Sequence, residues 1–206
     1  MSNLTYEFED RSERLETFEW DRAWIEHANT NNLSRVLYIG DSISWATRGV
    51  ATAKAEGKFY FDSFSTSKAL DNPYFQDSLR MFAEQQGTRK IVVFNNGLHG
   101  WHLDDETEYA AAYEKMIVFL LKEFSGTPIA LLTTTHVADE EREKRVIKRN
   151  AVMMTLAKKY NLPVIDFYAV TKEHADQLSS DGVHLSKPGY VLLAEELVQR
   201  VGEIIR

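Results

Sequence analysis

The chain has 206 residues, no cysteine, and a formal net charge of −7 from 24 basic and 31 acidic side chains. That length predicts one domain, or one domain with an arm, large enough to bury a core without staples. Missing cysteine excludes disulfides, thiolate nucleophiles and Cys-held zinc or iron–sulfur centres. The acidic balance argues against nucleic acid as a partner. No apolar run approaches the ~18 residues of a membrane span, and residues 1–14 lack the basic and apolar stretches of a secretory signal. The expectation is a soluble, cytoplasmic protein with no membrane partner.

Residues 1–30 hold eight acids and three bases, so most of the net charge lies there, while residues 31–206 are nearly neutral. This sets an acidic N-terminal arm, 1–30, apart from a main domain, 31–206. The arm is rich in aromatics (Tyr6, Phe8, Phe18, Trp20, Trp24), too many for a disordered tail. It is expected to dock on the domain or on a second copy of the chain in a homo-oligomer. Aromatics at 18, 20 and 24 predict a helix over 18–29.

Further on, short apolar runs alternate with helix-length segments. Val36–Ile39 is followed by a helix beginning near Ile43. A weaker strand at Phe59–Phe61 precedes a helix over 73–86. Ile91–Phe94 precedes a long helix over 104–124 with Tyr109, Tyr113, Met116, Ile117, Leu120 and Leu121 on one face. Ile129–Leu132 precedes a helix over 139–159 that opens with acids and closes with lysines, matching the helix dipole. A last strand, 164–167, precedes an amphipathic helix over 188–205. Nine of the eleven residues 139–149 are charged, which reads as a solvated helix face. Continuous apolar runs suit strands buried on both faces. Strands alternating with helices predict α/β architecture, a three-layer α/β/α sandwich with about five parallel strands. Right-handed crossovers bring the loops after the strands to one edge, where ligands bind in such folds.

Three groups on that edge carry chemistry. Gly40-Asp41-Ser42 places a hydroxyl and a backbone N–H at a strand-to-helix junction, where the helix N-terminus favours negative charge; a capped βα turn is the plainer reading. Asp181-Gly182-Val183-His184 brings a carboxylate and an imidazole into one turn, as in hydrolytic triads, or is merely a polar turn. Asn95-Asn96-Gly97-Leu98-His99-Gly100 follows the strongest strand, where an Asn side chain can donate to an oxyanion, although Asn-Gly is also a turn dipeptide.

Together, and in this order, these motifs resemble the SGNH hydrolase superfamily, the GDSL-type esterases, over about residues 33–205. The resemblance implies a flavodoxin-like SGNH-hydrolase fold and a catalytic domain. It implies Ser42 as nucleophile, His184 as general base and Asp181 as its orienting carboxylate, with no metal or cofactor required. The chain looks like a variant with an Asn-x-Gly-Leu-His third block. In that alignment Asn95 is the oxyanion donor and Asn96 the fallback. The family's second block contributes a glycine N–H, but no glycine lies between Gly57 and Gly87. An N–H from Ser67 or a neighbour takes its place, beside the Ser42 N–H.

Trp45 and Trp101 flank these motifs and suggest a platform for a sugar ring, or simply pack under loops. His99 and Asn96 are further candidate substrate contacts. His99, His102 and His136 share the edge without the convergence a metal site needs. Lys68 and Arg48 are cations near the site, read as solvated surface charges or as contacts to an acidic substrate group. The implied function is a serine esterase acting on short-chain, chiefly acetyl, esters of a carbohydrate or other small molecule. The alternatives are a short-chain lipid esterase, a thioesterase, or a non-catalytic sugar-binding relative.

Overall fold

The computed structural model describes residues 15, 16 and 18–206. Tyr6 and Phe8 of the arm lie outside them. Six strands form one sheet: β1 (Asp21–Trp24), β2 (Ser34–Gly40), β3 (Phe59–Thr66), β4 (Ile91–Phe94), β5 (Ile129–Leu132) and β6 (Val164–Ile165). Their spatial order is β1-β3-β2-β4-β5-β6, and all pairs are parallel except β1 with β3. The six helices are α1 (Ser42–Lys54), α2 (Phe75–Gln86), α3 (Glu106–Glu123), α4 (Glu140–Tyr160), α5 (Phe167–Glu173) and α6 (Lys187–Ile204).

The α/β/α sandwich expected from the alternating runs is present. Successive strand residues point to opposite faces. Leu37 and Ile39 of β2, with Val92 and Phe94 of β4, join α2, α3 and part of α4 in one core. Val36, Tyr38, Ile91 and Val93 join α1, α5 and α6 in the other. Carboxylates cap three of the helices that follow strands of the sheet, α1, α3 and α4. Asp41 accepts from Ile43 N at 2.8 Å, Asp105 from Thr107 N at 2.8 Å and Asp139 from Arg142 N at 2.9 Å. Such caps satisfy N–H groups that a helix leaves unpaired.

Three expectations need correction. Residues 18–29 do not form a helix: Asp21–Trp24 is a strand that pairs antiparallel with β3, Asp21 opposite Thr66 and Trp24 opposite Ser63. Trp20, Arg22 and Trp24 alternate, a period of two that serves a strand. The segment set apart by charge therefore supplies a sixth strand to the sheet. Its turn back into β2 is tied by Arg35, which is buried and bonds the carbonyls of Glu26, His27 and Thr30 and the buried carboxylate of Asp62.

Phe167 belongs to α5 rather than to the strand before it, because Asp166 caps that helix through Ala169 N at 3.1 Å. The charged stretch 139–149 is also not a wholly solvated face, since Glu143, Arg145 and Arg149 are buried. Positions 142, 145 and 149 recur at helical spacing on the side of α4 that faces loop 97–104.

Candidate active site

Ser42 is the first residue of α1, directly after the Asp41 cap. Its Oγ lies 2.8 Å from Nε2 of His184, and Nδ1 of His184 lies 2.8 Å from Oδ2 of Asp181. The other oxygen of Asp181 accepts from Val183 N at 2.9 Å, His184 N at 2.9 Å and Ser179 Oγ at 2.8 Å. Burial alone would push the Asp181 carboxyl up, but these four donors outweigh it and hold the group well below the usual carboxylate range. An ionised Asp181 can only accept, so Nδ1 of His184 carries the proton. That leaves Nε2 of the neutral ring to accept from the Ser42 hydroxyl.

Gly182 lets this turn close. Its φ is +72°, and a Cβ there would sit 2.9 Å from Cβ of Ala138, while its carbonyl accepts from Ala138 N at 2.8 Å. A bridge between Leu178 and Leu185 seals the base of the turn. Asp181 and His184 are thus presented as one preformed unit at the start of α6.

The remaining candidate residues differ in how their polar groups are engaged. Both Nδ2 hydrogens of Asn95 are used, on Leu132 O at 2.8 Å and Thr134 Oγ1 at 3.1 Å. Asn96 uses one, on Lys68 O at 2.8 Å, and its own carbonyl accepts from Tyr109 OH at 2.6 Å. Of the two asparagines, Asn96 is the one with an amide hydrogen that these bonds do not use. Ser67 is also engaged: its N–H donates to Trp20 O at 3.1 Å, and its hydroxyl to Glu19 Oε2 at 2.9 Å. Lys68 N donates to Thr66 Oγ1 at 3.0 Å. The next amide is that of Ala69, and none of the described residues accepts from it.

Trp101 is buried, with Arg145 4.1 Å and Arg142 5.0 Å from its ring centroid. It packs under the loop and offers no open face. Trp45, half-buried, lies beside Arg22 and Arg48. His99 is buried with Nδ1 2.8 Å from Glu16, His102 pairs with Asp71 at 2.8 Å, and His136 with Glu143 at 2.7 Å. These three imidazoles face three different carboxylates. Lys68 is paired with Asp21 at 2.6 Å. The acidic segment reaches the active edge through Glu16, Glu19 and Asp21.

Sequence reasoning missed Arg149. Its side chain, 3% exposed, donates to four carbonyls: Gly97 at 3.0 Å, His99 at 2.7 Å, Gly100 at 2.6 Å and Leu103 at 3.0 Å. Burial pulls the guanidinium down to about 10, still cationic at neutral pH. It shapes the loop that follows Asn96. Gly97 is needed in that loop, because a Cβ would fall 1.7 Å from Thr134 Oγ1. The only available signal was the helical spacing of 142, 145 and 149 within a run that looked uniformly solvated.

No family model matches the chain, and no curated protein matches it in sequence. Solved structures do match in fold. An acetyl xylan esterase, AlAXEase, superposes with a TM-score of 0.65 at 17% identity, over 81% of this chain and 99% of that one. Axe2, an acetylxylan esterase from Geobacillus stearothermophilus, gives 0.64 at 16%, over 82% and 94%. A member of the lipolytic G-D-S-L family from Veillonella parvula gives 0.64 at 19%, over 81% and 97%. The chain has the SGNH-hydrolase fold.

Proposed function

We propose that the chain is a serine esterase that removes acetyl groups from a carbohydrate. The observation that carries this reading is the line from Ser42 Oγ through the His184 ring to Asp181 Oδ2, with 2.8 Å at each of its two hydrogen bonds. As Ser42 Oγ bonds to the acetyl carbon, its proton passes to Nε2 of His184. Asp181 stabilises the imidazolium and holds its tautomer. The oxyanion is met by the Ser42 N–H at the positive end of α1, the second Nδ2 hydrogen of Asn96 and the N–H of Ala69. The tetrahedral adduct collapses as His184 returns its proton to the leaving sugar oxygen, leaving Ser42 acetylated. Water then attacks the acetyl carbon and gives a proton to His184. Acetate leaves, and Oγ recovers that proton.

The half-buried indole of Trp45, one helical turn past Ser42 in α1, supports a sugar as the alcohol part. The fold shared with two acetyl xylan esterases adds support for an acetyl group. The test is covalent labelling by a fluorophosphonate, read by intact mass and peptide mapping. The reading expects one adduct, on Ser42, lost in Ser42→Ala and strongly slowed in His184→Ala. Labelling elsewhere, or none at all, contradicts it.

A further inference from the structure

Trp20, Arg22 and Trp24 share one face of the N-terminal strand segment, and α1 presents Trp45 and Arg48 to it. The five side chains interleave as a ladder. The Arg22 guanidinium carbon lies 5.5 Å from the ring centroids of both Trp20 and Trp45. That of Arg48 lies 4.5 Å from Trp24 and 4.3 Å from Trp45. The ladder adjoins the nucleophile, since Trp45 sits one helical turn beyond Ser42. Arg22 stands opposite Ser65 of β3, and Ser65 opposite Gly40 of β2. At the ~4.8 Å spacing of strands, Arg22 is about 10 Å across the sheet from Gly40, two residues before Ser42. One pyranose ring and the reach of an arginine side chain fill that gap.

Charge then separates Arg22 from its neighbours. Lys68 is neutralised by Asp21 at 2.6 Å. Arg48 has Glu26 at 3.7 Å and is half-buried. Arg35 is sealed against Asp62 at 3.0 Å. Arg22 is exposed, and among the described residues no carboxylate lies within ion-pair distance of it. Its guanidinium lies within cation–π distance of two indoles, 5.5 Å from each centroid, contacts that favour its position without using its N–H donors. A guanidinium flanked by two indoles and without a carboxylate partner among the described residues is suited to bidentate binding of a carboxylate.

We propose that Arg22 is a specificity-determining residue that binds a carboxylate on the sugar part of the substrate, so that the preferred ester is an O-acetylated uronic acid. This rests on the esterase reading and narrows its substrate class. Charge-assisted hydrogen bonds of this kind are worth roughly tenfold to a hundredfold in kcat/KM.

The experiment measures acetate release from an O-acetylated methyl glucuronoside and from its neutral uronamide. It uses wild type, Arg22→Gln and Arg22→Lys, with p-nitrophenyl acetate as a charge-free reference. The readout is the acid-to-amide ratio of kcat/KM within each protein, which cancels any loss of folded enzyme. Wild type should favour the acid about tenfold or more. Arg22→Gln should bring the ratio close to one, and Arg22→Lys should keep part of it. The wild-type ratio should fall at 1 M salt, where screening is within about 3 Å. A ratio unmoved by Arg22→Gln, a wild type that treats acid and amide alike, or turnover of p-nitrophenyl acetate with neither sugar overturns the proposal and leaves the esterase reading standing. Failure on all three esters overturns both.

Discussion

Asn96 donates one hydrogen of its side-chain amide to the carbonyl of Lys68 at 2.8 Å, which ties the loop after β4 to the loop after β3. The bond fixes the amide plane and leaves its second hydrogen unspent. Asn95, one residue earlier, spends both hydrogens inside the sheet. The two variants should therefore fail differently. Asn96→Ala should lower kcat by about 10²–10³ with KM little changed, as loss of one oxyanion donor does. Asn95→Ala should chiefly lower the unfolding free energy, by about 1–3 kcal/mol for the buried partners it abandons. Steady-state kinetics and urea unfolding of both variants check this pair of outcomes.

Arg149 should matter without touching substrate. Replacing it by Met leaves four loop carbonyls without their donor, at a cost on the order of 3 kcal/mol in stability. The loop that carries Asn96 loses its shape, and a shift of about 1 Å is enough to cost roughly 100-fold in kcat. Arg149→Lys should recover little, because an ammonium cannot reach four acceptors arrayed around a planar fork. The expected signature is a fall in kcat larger than any change in KM, measured on the fraction that remains folded.

Arg35 and Asp62 make a separate prediction about stability. Their side chains are 4% and 0% exposed. Arg35→Met strands the Asp62 carboxylate in the interior, at about 3–5 kcal/mol. Adding Asp62→Asn should return part of that loss. Thermal unfolding of the two variants measures it.

Acid should expose the work of Asp181. Its carboxyl is held below its unfolded range, so its contribution to stability is complete above the unfolded value of about 3.9 and is lost as pH falls toward the folded value. Half exposure of the side chain keeps that contribution small, because solvent screens the interaction. The stability difference between wild type and Asp181→Asn should be constant from pH 8 to about 5 and shrink below about 4. At neutral pH the same variant should lose about 10⁴ in kcat, the cost of the wrong imidazole tautomer.

The core strands were legible because burial on both faces demands unbroken apolar runs, and Val36–Ile39 and Ile91–Phe94 are such runs. Ser42, Asp181 and His184 were legible because each stands in a short local motif whose geometry needs little from the rest of the chain. The edge strand β1 was not: aromatics at 18, 20 and 24 satisfy two periods at once, and only pairing with β3 selects between them. Which of the two asparagines has an amide hydrogen unspent was not legible, because adjacent side chains at the end of a strand meet opposite faces and the sequence does not say which face holds the acceptors. Arg149 stayed hidden because a cation whose partners are backbone carbonyls has no matching acid in the sequence to reveal it.

Turnover of p-nitrophenyl acetate by wild type, Ser42→Ala and His184→Ala decides whether Ser42 and His184 carry ester hydrolysis. Measurable turnover is expected of wild type and a loss of about 10⁴-fold or more in each variant, with both variants folded. Equal rates in all three proteins would contradict it.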